Sequence, residues 1–485
     1  MQNSAICEES FFFVRIEAVC TGPALTCAPD ADVVEVARLM QGNDSTAIVV
    51  VEDGTPVGIF SIRDLRKLIA DSGGAIAGCK VRENMGHGLI TIRRQDYVFD
   101  AVFKMARHNI HNLGVVDDEG KLVGVISDTD LLKIQTCTPL CLHQEIEAAH
   151  SIDQLQALGV RLLDMVRFTI STGIDTKSVV QLISRFNDAI TLRLIALLES
   201  TEGIRLPEGA TYLVLGSGGR SEQTLCTDQD NAIVCIDDLS PEKLRDVERF
   251  AARLVDALEE IGIPRCPGNI MASTPQWRHS LTEWKQLLDQ WITVPTPEHM
   301  LNFGMFQDLR SLHGDETLGI QLRDHIRDAV QRHAFFFPNM AGHVVRFPPP
   351  FTMFGRIRVE PGGEHKGKVD LKKTGIFAIT GGASLLALEA GIIGGSTWEK
   401  LELLGKRGVL ESGDLETIVE AFTFLTRLRL QWQLRELSAN GKPTNHVDPL
   451  VMTDKERDQF RQALNGVNTF LWIFRDHYLL DFFST

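Results

Sequence analysis

The sequence has no excess of basic charge, no long uninterrupted apolar run and no metal-type cysteine array, and each absence removes a class of function. Lys and Arg total 49 against 64 Asp and Glu, a formal net charge of −15. Non-specific nucleic-acid binding needs a basic surface to neutralise phosphates, so it is not expected here. The deficit still leaves room for a local basic pocket. The longest apolar-looking stretch, Gly375 to Gly395, carries Glu389 and six glycines. It therefore reads as a buried helix with a glycine-rich approach, not a membrane span. Nine cysteines are scattered along the chain, and the close pair Cys137 and Cys141 has no second pair beside it. Free thiols of a reducing compartment fit this better than structural zinc. Glu8 and Glu9 precede Phe11 to Phe13, which is not a signal-peptide pattern. The expected location is cytoplasmic. His87, His108, His111, His279, His299, His313, His325 and His333 are dispersed, and no His-Asp array suggests a phosphohydrolase.

What is present is an internal repeat followed by a glycine-rich turn. At 485 residues the chain is long enough for roughly three domains. Gly58-Ile-Phe-Ser-Ile-Arg-Asp-Leu65 recurs as Gly124-Val-Ile-Ser-Asp-Thr-Asp-Leu131. A helical pattern precedes each copy (Val33, Val34, Ala37, Leu39 and Met40; then Ala101, Val102 and Met105). β-Branched runs follow at Ala47 to Val51 and Leu113 to Val116. The turns Glu52-Asp53-Gly54 and Asp117-Asp118-Glu119-Gly120 then close them. Each unit reads strand–helix–strand–turn–strand–helix. Residues 137–205 carry helical spacing with a joint near Gly173. A strand–loop–strand segment spans Tyr212 to Ile236, and a helix covers Asp246 to Ile261. Pro348-Pro349-Pro350 marks a break before a mostly helical remainder.

Past the strand from Tyr212, the chain reads Gly216-Ser-Gly-Gly-Arg220-Ser-Glu222 and then Asp228-Gln229-Asp230. Successive strand side chains alternate faces, so Asp228 and Asp230 point one way and Gln229 the other. Two carboxylates beside a glycine turn can hold divalent cations, while glycine lets the backbone approach triphosphate oxygens and Ser217 donates to one. Nucleotidyl transfer needs such an arrangement.

The two repeats resemble cystathionine-β-synthase-type (CBS) domains over residues 19–136. The resemblance implies an adenine-nucleotide cleft, with Ser61 and Asp64 in the first unit and Ser127, Thr129 and Asp130 in the second contacting phosphate or ribose. Taken alone, the same residues also suit helix caps. The Gly-Ser, ten residues, Asp-x-Asp spacing resembles the polymerase-β-type nucleotidyltransferase superfamily. The longer string is similar to bacterial nucleotidyltransferases fused to CBS pairs, relatives of the uridylyltransferase of nitrogen signalling. That similarity also takes in Cys266-Pro-Gly-Asn-Ile-Met-Ala272, Trp277-Arg278-x-Ser280-Leu281-x-x-Trp284, Gln307-Asp308-Leu-Arg310, Val369-Asp370-Leu371-Lys372 and the helix Phe424 to Gln433.

The resemblance implies Asp308 as a third metal carboxylate beside Asp228 and Asp230, with Mg²⁺ or Mn²⁺ as cofactor. Gly216, Ser217, Gly219, Arg220 and Lys372 are the expected nucleotide-binding residues. Arg220 suits either phosphate or a scaffold pair with Glu222, and Lys372 and Lys373 either the nucleotide or the surface. Relatives carry Arg where this chain has Ser384. The expected fold is multidomain α/β and α, in five parts. These are an extension (1–18), the CBS pair (19–136), a helical connector (137–205), a nucleotidyltransferase-like α/β domain (206–345) and a C-terminal helical domain (346–485). The expected function is regulated transfer of a nucleoside monophosphate from a nucleoside triphosphate to an acceptor, with a signalling protein as one candidate. The alternative is a silent nucleotide sensor acting through protein contacts. No membrane or nucleic-acid partner is expected, and the CBS pair implies a homodimer.

Overall fold

The computed structural model describes residues 15–20, 23–43, 45–53, 55–108, 110–131, 139–171, 174–333, 335–347, 350–352, 355–439 and 441–480. Gly54, Cys137, Gly173, Pro348, Pro349 and the first 14 residues of the expected extension lie outside these. The chain divides into two compact units, residues 1–142 with 167–173 and residues 143–166 with 174–485.

In the first unit the repeat forms two small sheets with matching topology. Strand β1 (Thr26–Cys27), helix α1 (Val33–Gly42), strands β2 (Ala47–Glu52) and β3 (Thr55–Ser61), helix α2 (Ile62–Ser72) and strand β4 (Gly86–His87) give the sheet order β1-β2-β3-β4. Strand β5 (Thr91–Arg93), helix α3 (Val98–His108) and strands β6 (Asn112–Val116) and β7 (Leu122–Ser127) give β5-β6-β7. The first pair is parallel in each sheet and the second antiparallel, with Ala47 opposite Ser61 and Asn112 opposite Ser127. The apolar face of α1 is Val33, Val36 and Met40, at helical spacing over Ile48, Val50 and Phe60. Leu39 falls off that stripe and is exposed.

Helices α4 (Pro139–Ala148, its first residues belonging to the first unit) and α5 (Ile152–Ser171, its last residues belonging to the first unit) lead to α6 (Thr176–Glu202) in the second unit. Strands β8 (Ala210–Val214), β9 (Asn231–Cys235), β10 (Arg278–Ser280) and β11 (Arg310–Gly314) form a sheet of order β10-β9-β8-β11. Helices α7 (Pro241–Glu260), α8 (Leu281–Thr293), α9 (Pro297–Phe306) and α10 (Glu316–Gln331) belong to the same α/β part. Here the Trp277…Trp284 string is scaffold. Trp284 is fully buried, stacks on Phe306 at 4.4 Å and donates its indole N–H to the Ile233 carbonyl at 2.9 Å. Ser280 and Glu283 cap α8 reciprocally.

The rest is mostly helical: α11 (Phe336–Val344), α12 (Phe377–Glu389), α13 (Thr397–Lys406), α14 (Ser412–Ser438) and α15 (Asp454–His477), with a short ribbon of β12 (Val369–Asp370) and β13 (His446–Val447). The glycine-rich stretch is the buried helix α12. A Cβ at Gly382 would sit 2.4 Å from the Phe470 ring, so small residues are what let α15 pack there. Among the described residues no helix is long and apolar enough to cross a membrane.

Candidate functional site

The end of β8 turns sharply at Gly216, whose φ of 52° lies in the left-handed region that glycine adopts without strain. A one-turn helix, Gly216–Gly219, follows. Gly219 has no room for a side chain, because a Cβ there would lie 1.9 Å from the Asp308 carbonyl oxygen. Backbone cannot swing aside as a flexible side chain can. Gly219→Ala is therefore expected to destabilise the second unit by about 3 kcal/mol or more. Gly159→Ala, on α5 with nothing within 4 Å, should cost nothing. Parallel thermal melts of the two variants check this.

Asp228 and Asp230 precede β9, which begins at Asn231 and not at Asp228 as its spacing predicts. The segment is still extended, because Gln229 bridges to Arg265 and the Asp230 carbonyl accepts from the Leu215 amide at 3.0 Å. Alternation therefore holds. Gln229 turns inward and donates to the carbonyls of Val255 (3.1 Å) and Ile263 (2.9 Å), while Asp228 and Asp230 face a cleft. Gly216, Ser217, Arg220, Lys372 and Arg429 line the same cleft.

Three donor atoms converge there: carboxylate oxygens of Asp228 and Asp230 and the Cys266 sulfur, all within 4.8 Å of one another. Asp230 Oδ1 is buried without a hydrogen-bond partner. Burial and the neighbouring Asp228 charge push the Asp230 carboxyl up to about 7, against a smaller opposing effect of its hydrogen bond with Cys266. Burial, with Asp230 beside it, pushes the Cys266 thiol up to about 12, so it stays protonated at neutral pH. An unpaired carboxylate oxygen beside a second carboxylate is what a divalent cation would satisfy, and the donor set fits one.

Asp308 is not part of that group. Its buried carboxylate accepts from Arg220 Nη1 at 2.9 Å, from Ser384 Oγ at 3.1 Å, and from the Lys400 ammonium. Burial alone would raise the Asp308 carboxyl, but Lys400 and Arg220 outweigh it and hold it below the ordinary value. Arg220 also donates to Glu222 at 3.0 Å, and Glu222 accepts from the Thr397 amide and hydroxyl. Asp308, the expected third ligand, is thus engaged by Arg220 and Lys400, and Arg220 takes the scaffold pairing with Glu222 that its place in the sequence also allows. Two cations and two carboxylates form a closed, charge-balanced cluster at the edge of the cleft.

Residue-level reading missed Cys266, Arg429 and Lys400. Arg429 is buried on α14, donating to the Asn445 side chain at 2.7 Å and the Cys226 carbonyl at 3.3 Å. Of the two lysines, Lys372 lines the cleft, while Lys373 pairs with Asp370 at 3.3 Å.

In the first unit an open cleft is lined by Ser61, Arg63, Asp64 and Arg66 from one repeat and His111, Asn112 and Asp128 from the other. Ser61 and Asp64 also form a capping box, with the Ser61 amide and hydroxyl donating to Asp64 at 2.9 and 2.6 Å. Ser127 and Asp130 repeat it at 2.9 and 2.6 Å, and Ser127 Oγ lies 2.7 Å from Thr129 Oγ1. The cap is thus realised in both repeats, and only the first copy faces this cleft.

Comparison with known proteins follows the same division. Residues 160–298 match the family described as "Putative nucleotidyltransferase DUF294". Residues 334–478 match "Putative nucleotidyltransferase substrate binding domain", and residues 16–71 and 81–136 match "CBS domain". Among curated relatives, the uncharacterized protein MJ1232 of Methanocaldococcus jannaschii is 33% identical over 109 residues, covering 22% of this chain and 35% of its own length. The uncharacterized protein MK0525 of Methanopyrus kandleri is 28% identical over 135 residues, 28% of this chain and 69% of its length. The chain thus spans about a third of the first of these relatives. Among solved structures, the CBS domain protein PAE2072 from Pyrobaculum aerophilum, complexed with AMP, is 28% identical over 25% of this chain and 99% of that one, with a TM-score of 0.23. The CBS domain pair of protein MJ0100, in complex with 5′-methylthioadenosine and S-adenosyl-L-methionine, is 23% identical over 25% of this chain and 96% of that one, also at 0.23. A repeated CBS fold, a glycine-turn α/β domain and a helical C-terminal region, each matched by its own family, place the chain among the proteins that fuse a CBS pair to a DUF294-type nucleotidyltransferase domain and its substrate-binding domain.

Proposed function

We propose that the second unit transfers a nucleoside monophosphate from a nucleoside triphosphate to an acceptor, in a reaction dependent on Mg²⁺ or Mn²⁺. The observation that carries this is the orphaned, buried Asp230 oxygen beside Asp228 at the Gly216 turn, facing a cleft with Lys372 and Arg429 on its wall. Asp228 and Asp230 would hold the ion, which when bound supplies Lewis-acid activation and neutralises phosphate charge. The glycine turn admits the phosphates close to backbone amides, and Ser217 donates to one of them. Lys372 and Arg429 place positive charge where the triphosphate lies. The acceptor oxygen bonds to the α-phosphorus, its proton goes to solvent or a cleft base, and pyrophosphate leaves. A signalling protein, as in uridylyl transfer, is the acceptor class to test first. Incubating the protein with each labelled nucleoside triphosphate, the metal ion and cell extract gives a labelled product if the reading holds. A second reading, a silent nucleotide sensor, is favoured by one observation: Asp308 is locked in ion pairs, leaving two carboxylates at the metal cluster. Triphosphate binding without any labelled product would select it.

The cleft of the first unit we assign to an adenine nucleotide, because Arg63 and Arg66 accompany Ser61 and Asp64 on its wall. A ligand that binds only the folded form stabilises it by about 2.7 kcal/mol at a hundredfold excess over its dissociation constant. AMP, ADP or ATP should therefore raise the melting temperature of a D228N/D230N variant, in which the transferase site is silenced. Absence of any shift at millimolar levels would refute the assignment. Regulation adds a reciprocal requirement: each nucleotide changes the other's affinity by the same factor. Calorimetric titration of each ligand with and without the other, on that variant, reads the factor directly. Independent affinities would mean that the pair tethers or dimerises the chain without regulating transfer.

A further inference from the structure

A second set of metal-type donors converges where the β12–β13 ribbon meets the loop preceding it. Carboxylate oxygens of Glu360 and Asp370 and an imidazole nitrogen of His446 all lie within 4.8 Å of one another. Their positions follow from the backbone. Asp370 and His446 are directly opposed across the antiparallel ribbon. Glu360 closes the loop that leads into it, its amide donating to the Lys368 carbonyl at 2.8 Å while its carbonyl accepts from the Gly367 amide at 2.9 Å.

The donors are sequestered and incompletely satisfied. Asp370 and His446 side chains are 7% and 14% exposed. Asp370 Oδ1 accepts from the Lys372 and Lys373 amides at 3.0 and 3.1 Å. Its Oδ2 faces His446 Nε2 at 3.8 Å, too long for a hydrogen bond, and the solvent-exposed Lys373 ammonium at 3.3 Å. His365, at the tip of the loop, stacks on His446 with ring centroids 3.7 Å apart. The Nδ1 atoms of both rings are buried without a partner. Neither nitrogen of the His446 ring is hydrogen-bonded within the protein, Nδ1 being orphaned and Nε2 standing 3.8 Å from Asp370 Oδ2.

We propose that Glu360, Asp370 and His446 form a second divalent-cation site, separate from the Asp228–Asp230 cluster, which takes a borderline transition ion such as Zn²⁺ in preference to Mg²⁺. One imidazole with two carboxylates is a donor set of that class, since Mg²⁺ favours oxygen alone and Zn²⁺ takes both. Two donors each about 2.1 Å from a tetrahedral ion lie about 3.4 Å apart, so the 3.8 Å between His446 Nε2 and Asp370 Oδ2 needs little closure. Lys373, mostly exposed, can swing away from Oδ2 as an ion arrives. The bound ion fastens the 360–368 loop to the ribbon. Asp370 meanwhile caps the single π-helical turn Lys372–Ile376, from which Lys372 reaches the transferase cleft. The site therefore fixes the element that carries a cleft cation, without taking part in chemistry.

The test uses the full chain with Zn²⁺ alone and needs no enzymatic activity, so it stands apart from the fate of the transferase reading. A D228N/D230N variant removes the first cluster. After equilibrium dialysis against micromolar Zn²⁺ it should retain one ion per chain, and Co²⁺ substituted there should show visible d–d bands from a nitrogen–oxygen site. Adding E360Q should weaken Zn²⁺ binding by at least about 100-fold, and adding H446Q should do the same and abolish the bands. Glu360 is only half-buried, so E360Q stays informative if H446Q fails to fold, with circular dichroism as the check. Retention of one tightly held Zn²⁺ in the folded E360Q variant would overturn the proposal. So would the loss of all Zn²⁺ from D228N/D230N, since the ion would then belong to the first cluster.

Discussion

Asparagine at both Asp228 and Asp230 is expected to lower metal-dependent nucleotide transfer by about a thousandfold or more, and at the same time to stabilise the ion-free protein above pH 7. Asparagine keeps the size of the side chain and removes the charge that a divalent cation needs. The cation's share of transition-state charge stabilisation is several kcal/mol, at about 1.4 kcal/mol per tenfold in rate. The stability effect has the opposite sign. Asp230 sits at about 7 in the folded protein against 3.8 for an unperturbed side chain, through burial and the Asp228 charge. Between those values the folded state binds the extra proton, so stability falls as pH rises and the full cost is present above about pH 7. Relief of that cost by D230N is bounded at roughly 4 kcal/mol. Melts in EDTA from pH 4 to 8.5 should show variant and parent together at the acid end and separating upward. Full transfer activity in the double variant, or a gap that does not grow with pH, would sink the assignment.

How much of this site was legible before the fold was known follows from sequence distance. The CBS repeat and the glycine turn with its Asp-x-Asp are local patterns, and the alternation of Asp228, Gln229 and Asp230 is fixed by the backbone whether or not a strand begins there. Cys266, Lys400 and Arg429 enter through packing. Lys400 reaches Asp308 across 92 residues, and Arg429 reaches the Cys226 carbonyl across 203. Periodicity held a clue in each helix. Lys400 falls on the stripe of Thr397, Leu401 and Leu404, and Arg429 on that of Phe422 and Leu425, all of them buried. A charge on an apolar stripe must find a partner inside, yet the stripe does not say which. The same limit explains Asp308. Its place in the chain matched a third metal carboxylate, but nothing local shows two cations converging on it. Nor could the sequence reveal that Glu360 and His446, 86 positions apart, meet beside Asp370.

Asp308→Asn should separate those two readings of Asp308 by the sign of its effect on the ion-free protein. A metal carboxylate crowded against other carboxylates is a source of repulsion, and neutralising it leaves stability unchanged or higher. A carboxylate that compensates buried cations does the reverse. Asp308 faces Lys400, which is 2% exposed, and Arg220, which shares Glu222. Removing one member leaves an uncompensated buried charge, at a cost of about 3–5 kcal/mol. D308N is thus expected to lower the melting temperature sharply in EDTA, where D228N/D230N raises it. Lys400→Met should also destabilise, and D308N/K400M should be less unstable than the two effects added, because the second change removes the charge that the first left stranded. The pH dependence carries the same sign. Lys400 and Arg220 hold the Asp308 carboxyl below 3.8, so its contribution is complete at neutral pH and is lost only as pH falls through that lowered value. The gap between parent and D308N should therefore stay level from pH 5 to 8, unlike the rising gap at Asp230. If D308N instead melts at or above the parent in EDTA, the carboxylate is not neutralising Lys400 and Arg220, and its place beside the metal must be restored.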